Sequence, residues 1–190
     1  AVGLRTDNET LITPEVLQPN QWFGYSMAAG DFNSDGRDDL AIGGPACDAF
    51  SFQQPEDSGS VWILYGSATG ITATGLRYLD QDSSDGGGVE MLNSCEVSDF
   101  FGQSLAAGDW NGDFAADLAI GVASETLGTT NNAGAVQVVY GFPGVGLRVA
   151  GNQFWRESNV ATGVAALGVA GAIDLLARLS LAGVADVAEA

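Results

Sequence analysis

The sequence predicts an all-β chain: a partial β-propeller with two four-stranded blades, the last strand of a preceding blade, and a C-terminal tail open to a helical reading. Three observations carry this. An acidic string occurs twice, Asp-Phe-Asn-Ser-Asp-Gly-Arg-Asp-Asp at 31–39 and Asp-Trp-Asn-Gly-Asp-Phe-Ala-Ala-Asp at 109–117, 78 residues on. Gly59-Ser-Val-Trp-Ile-Leu-Tyr-Gly66 returns as Gly134-Ala-Val-Gln-Val-Val-Tyr-Gly141, offset by 75. Gly-Leu-Arg occurs three times, at 3–5, 75–77 and 146–148. A unit of about 70 to 80 residues made of short strands is the pattern of a propeller blade.

In order along one unit, strand one is expected at about 23–31, where Phe23-Gly24 leads into Ala28-Ala29-Gly30. The acidic loop follows, and strand two, 39–44, reads Asp-Leu-Ala-Ile-Gly-Gly. Strand three, 60–66, is apolar on both faces (Val61, Ile63 and Tyr65 against Trp62 and Leu64), which suits a strand sandwiched between neighbouring layers. Strand four falls near 75–81, and the second unit repeats the order. The expected divisions are 1–18 for the last strand of a preceding blade, 19–82 and 83–157 for the two blades, and 158–190 for an Ala/Leu-rich tail. In that tail Asp174 and Arg178 could pair one helical turn apart. Two blades cannot close a ring, so the chain reads as a slice of a longer propeller.

Composition narrows the function. Six Lys plus Arg stand against 24 Asp plus Glu, a formal charge of −18. Such a surface repels phosphate backbones and anionic headgroups, which argues against nucleic acid and membrane roles, and attracts cations. Charges interrupt the apolar tail before it reaches a membrane-spanning length. Histidine is absent, which removes the commonest general base and zinc ligand. The 27 glycines suit a fold with many tight turns. Each acidic string places oxygen-bearing side chains at positions 1, 3, 5 and 9, with a backbone carbonyl near position 7. Alternate residues of such a loop can turn inward around a hard divalent cation. An EF-hand is excluded, because position 12 is Ile42 or Ile120 where a bidentate acid is required, and the flanks read as strand.

These residues resemble the FG-GAP repeats found in integrin α-subunit heads and in many secreted bacterial proteins. Phe23-Gly24 and Phe101-Gly102 match the Phe-Gly pair; Gly43-Gly44-Pro45 approximates the Gly-Ala-Pro triplet, and Gly121-Val122-Ala123 departs from it. The resemblance covers roughly residues 1–157. It implies a propeller with Ca2+ in the loop between the first two strands of a blade, an extracellular or cell-surface setting, and a role in adhesion or ligand binding. Carried over by position, the first site would use the side chains of Asp31, Asn33, Asp35 and Asp39 and the Arg37 carbonyl, with Asp38 facing solvent. The second would use Asp109, Asn111, Asp113 and Asp117 with the Ala115 carbonyl. Position 6 is Gly36 in the first loop and Phe114 in the second; if it needs φ > 0, the Cβ weakens the second site.

The bound cation would be structural, holding together carboxylates that otherwise repel. No catalytic residues are assigned: there is no histidine and no Gly-x-Ser-x-Gly, and an enzymatic role is not expected. Specificity would reside in the connections 46–58, 82–99 and 123–133, toward an unidentified protein or glycan, with neighbouring blades as the other partners. No Arg-Gly-Asp occurs. The rival reading is an accessory propeller in a larger secreted hydrolase. Cys47 and Cys95 fall on connections opposite the acidic loops, and either a bonded pair or two thiols fits. Asn8-Glu-Thr10 matches a glycosylation triplet. Trp22, Trp62, Trp110 and Trp155 are expected to pack rather than to stack on sugars.

Overall fold

The computed structural model describes residues 22–48 and 56–156, and these contain strands and turns but no helix. The early strand around Gly3-Leu4-Arg5, Asn8, and the tail with Asp174 and Arg178 lie outside the described residues. The first antiparallel sheet has strands β1 (Ser26–Gly30), β2 (Asp39–Gly44), β3 (Ser60–Ser67) and β4 (Gly70–Leu79), in chain order. A hairpin follows, β5 (Ser84–Gly86) and β6 (Val89–Glu90). The second sheet has β7 (Phe101–Gly108), β8 (Asp117–Val122), β9 (Ala135–Tyr140) and β10 (Arg148–Arg156), again in chain order. These are two propeller blades.

Strands β2 and β3 occupy the expected positions, because their apolar runs are buried from both sides: Val61, Trp62, Ile63 and Leu64 are all inaccessible. Strand one is shorter than the expected 23–31. Trp22 and Gly24 have positive φ, 51° and 87°, and the Gly24 and Tyr25 amides both donate to the Gly43 carbonyl. This makes a bulge ahead of the regular ladder. Strand four begins at Gly70 rather than near 75, because Ser67-Ala-Thr-Gly70 closes a tight turn directly onto β3. Gly75, at φ 77°, sits where the register between β3 and β4 shifts. The hairpin β5–β6 was not anticipated; Gly86, Gly87 and Gly88 all take positive φ there, which closes the turn.

One core joins the sheets. It includes Phe32, Ala41, Val61 and Ile63 from the first blade and Phe101, Leu118, Ile120 and Leu147 from the second. The Phe-Gly pair explains itself at this seam. Phe101 is fully buried, and its peptide bridges to Gly59 of the first blade. Gly102, at φ 86°, lies so close to β3 that a Cβ would meet the Ser60 carbonyl at 2.8 Å and Val61 at 2.9 Å. Ser26 Oγ closes the seam by donating to the Gly102 carbonyl at 2.6 Å. In the first blade the same pair is open: Phe23 is 46% exposed, and a Cβ on Gly24 would meet nothing within 4 Å. Phe23 instead packs edge-on against Trp62, with ring centroids 5.1 Å apart.

Asp85 of the hairpin ties the two blades together. Its Oδ1 accepts from Arg77 Nη2 of β4 at 2.5 Å, and its Oδ2 from the Ala150 amide of β10 at 3.0 Å. Burial raises the Asp85 pKa, but the Arg77 hydrogen bond, the Ala150 amide and the guanidinium charge outweigh it, so the net shift is downward from 3.8. A lowered folded-state pKa contributes stability above the unfolded value and loses it as pH falls through the folded one. Asp85→Ala is therefore expected to cost about 1.5–3 kcal/mol at neutral pH. In urea unfolding the gap from wild type should close below pH 3.8, as the wild-type carboxylate is protonated.

Candidate metal centre

The two acidic loops connect β1 to β2 and β7 to β8, and they fold alike because each carboxylate gathers nearby backbone amides. Asp31 accepts from the Asp35 and Gly36 amides at 2.9 and 2.7 Å, and Asp109 from Gly112, Asp113 and Phe114 at 2.8, 3.2 and 2.9 Å. Asn33 Oδ1 and Asn111 Oδ1 each accept from the amide two residues on. Asp35 and Asp113 do the same from Arg37 and Ala115. These are turns made by side chains bonding their own backbone. Asp38 is exposed, as expected, and Arg37 lies at the surface with its guanidinium 3.6 Å from Asp35.

Position 9 has a second task. Asp39 and Asp117 are both fully buried. Asp39 takes the Phe32 amide at 2.9 Å and the Gly66 amide at 2.7 Å; Asp117 takes Trp110 at 2.8 Å and Gly141 at 3.0 Å. Each therefore stitches its loop to the end of the third strand. The Tyr-Gly pairs become intelligible here, since a Cβ on Gly66 would stand 2.5 Å from the Asp38 carbonyl and one on Gly141 2.2 Å from that of Ala116. Burial pushes Asp117 up to about 6 against the pull of those amides, and the charges of Asp113 and Asp109 push the same way. Asp39 is raised by the same causes.

The loops also touch across the blades. The Ala116 amide donates to the Asp31 carbonyl at 2.8 Å, and the Gly144 amide to the Asn33 carbonyl at 2.6 Å. Phe32 is fully buried in this contact, whereas Trp110, its counterpart, is half-buried against Ala119, Val136 and Val138.

The strain expected at position 6 of the second loop is present, and the first loop carries one of its own. Position 6 does take φ > 0, 83° at Gly36 and 70° at Phe114. Position 4 does too, and there the roles reverse: Ser34 has φ 57° and Gly112 φ 76°. Each loop thus holds one side-chain-bearing residue in the left-handed region. The Phe114 ring is 83% exposed, so no packing holds it there. Phe114→Gly and Ser34→Gly are each expected to stabilise by up to about 1 kcal/mol, the left-handed penalty less the added freedom of the unfolded chain. Urea midpoints of the two variants check this, and a lower midpoint for either contradicts it.

Among the described residues, the three acids whose carboxylate oxygens lie within 4.8 Å of one another are Glu96, Asp99 and Glu125, not the three aspartates of either loop. Sequence reasoning passed over this cluster because Glu125 sits in a different connection from Glu96 and Asp99. The tryptophans divide: Trp62 is buried and Trp110 packs, while Trp22 (51% exposed) stacks on Tyr25 and Phe100, and Trp155 is 37% exposed. Cys47 and Cys95 are buried thiols, each pushed up to about 12 by burial.

The family model for the FG-GAP repeat matches residues 23–64 and 101–139. Phosphatidylinositol-glycan-specific phospholipase D of Rattus norvegicus is 35% identical over 123 residues, covering 65% of this chain and 14% of that protein. Integrin alpha-7 of Homo sapiens is 34% identical over 126 residues, 63% of this chain and 9% of that protein. Integrin alpha-5 of Xenopus laevis is 33% identical over 141 residues, 73% and 12% respectively. The chain thus spans a small fraction of the curated relatives it matches.

Proposed function

Because this chain is an FG-GAP repeat protein, we propose that its two blades form a calcium-stabilised, integrin-like binding or adhesion module working at the cell surface or outside the cell. The observation that supports this most is the matched pair of loops. In each, four oxygen-bearing side chains (Asp31, Asn33, Asp35, Asp39; Asp109, Asn111, Asp113, Asp117) are set on a turn that their own amide contacts have already shaped. An all-oxygen donor set suits a hard cation. Four aspartates in the first loop and three in the second face at most one nearby arginine, so a divalent ion would offset repulsion and stabilise the folded state in proportion to its binding. Arg37 and Ala115 would add backbone carbonyls. This calcium is structural: the blades carry the ligand-binding connections and the ion holds the strands that present them.

Ligand recognition is assigned to the connections 82–99 and 123–133 and to the part of 46–58 within the described residues. Leu92 and Val97 are the most exposed apolar side chains of the first of these, at 62% and 67%. The partner class is an extracellular protein or glycan. Among the described residues no helix is long and apolar enough to cross a membrane. The test is calorimetric titration of calcium into the protein and into Asp31→Asn and Asp109→Asn variants. One equivalent should disappear with each substitution; titrations unaltered by both would refute the loop assignment.

A second reading is favoured by the match to a phospholipase D, of which this chain resembles 14%. In it the blades are an accessory domain of a larger secreted hydrolase, and the chemistry lies elsewhere in that parent. A catalytic domain in the intact polypeptide would decide for it.

A further inference from the structure

Asp99 and Glu125 are both 1% exposed, and with Glu96 their carboxylate oxygens lie within 4.8 Å of one another. Asp99 precedes the Phe-Phe-Gly entry to β7, and Glu125 follows β8. The ion pairs among the described residues, Arg37 with Asp35 and Arg77 with Asp85, leave this cluster without a cationic partner. Two buried carboxylates at such a distance are relieved either by a proton on one of them or by a cation between them. Their present partners are neutral donors. Glu125 Oε2 accepts from Gln81 Nε2 at 2.9 Å and Asn93 Nδ2 at 2.7 Å, and Asp99 Oδ2 accepts from the Glu96 amide at 2.6 Å.

A second, independent feature points to a ligand. Gln81 is 1% exposed, its carboxamide is held at the cluster by that bond to Glu125, and its Oε1 is buried with no hydrogen-bond partner. A buried amide oxygen seldom goes without one. A half-turn of the carboxamide would set Oε1 against Glu125, an arrangement that a cation between the two oxygens makes favourable.

We propose that Glu96, Asp99, Glu125 and the Gln81 carboxamide oxygen form a calcium site separate from the two loops, at the junction of the blades. The donors are oxygen only, which selects a hard ion. Oxygens within 4.8 Å of one another can share one such ion, and calcium tolerates the irregular arrangement that side chains from separate segments give. Glu96 is exposed, so water can complete the shell. Gln81 follows the last strand of the first blade, while Asp99 and Glu125 flank β7 and β8 of the second, so the ion would pin one blade to the next. The corresponding positions of the first repeat, 78 residues earlier, are Gln21 and Cys47 in place of Asp99 and Glu125.

The test uses the full chain with the Asp31→Asn/Asp109→Asn pair as background, titrated with calcium by calorimetry. One equivalent should remain there, and adding either Glu125→Gln or Asp99→Asn should weaken it at least tenfold. Two separate isosteric substitutions guard against one failing to fold, which circular dichroism reports. No calcium bound in that background, or binding that survives both substitutions, overturns the proposal; the first result would mean that a shared proton relieves the pair. The loop assignment is judged separately, by whether Asp31→Asn and Asp109→Asn each remove an equivalent.

Discussion

Gly102→Ala is expected to destabilise the protein by roughly 2–5 kcal/mol. Two costs combine. The residue has φ 86°, where a Cβ is disfavoured by about 1–2 kcal/mol. The added atom would also stand 2.8 Å from the Ser60 carbonyl and 2.9 Å from Val61, in a seam with no slack. The equivalent change at Gly24, φ 87° with nothing within 4 Å, carries only the first cost. Denaturant unfolding of the two variants side by side separates backbone strain from blade contact. Equal losses would mean that the Phe-Gly pair serves the local bulge and not the junction.

Asp39→Ala should cost roughly 2–5 kcal/mol even in the presence of chelator. It strips the acceptors from the Phe32 and Gly66 amides, at about 1–3 kcal/mol for each buried donor left unmade. Measuring in chelator keeps any lost ion out of the comparison. The neighbouring Asp38→Ala, on an exposed side chain, should stay within about 0.5 kcal/mol. If both variants behave alike, position 9 is a ligand position only and the stitching role is wrong.

These two residues show what was legible in the sequence. Strands β2 and β3 could be read because burial from both sides leaves an uninterrupted apolar run, and the acidic strings because spacing alone places their oxygens. The Phe-Gly and Tyr-Gly pairs were visible as repeats, but their reason was not: Gly102 and Gly141 are small because another segment's backbone lies within 3 Å of where a Cβ would be, and no local pattern carries that. Strand β4 was expected to start too late because Ser67-Ala-Thr-Gly70 lacks the usual Asn-Gly signal of a tight hairpin. Ser34 was overlooked because serine, unlike Phe114, looks ordinary in a turn. Asp99 and Glu125 are 26 residues apart, and it is the antiparallel pairing of β7 with β8, Phe101 opposite Val122, that brings them together.

Thermal melting of the whole chain in calcium and in chelator tests the central claim most directly. If the two loops hold structural calcium, the midpoint should rise with calcium concentration, and Asp31→Asn and Asp109→Asn together should remove most of that rise, over and above the lower chelator midpoint that follows from giving up one amide acceptor in each loop. A midpoint indifferent to calcium would contradict it, and the acidic strings would then be turns held by their own amide contacts.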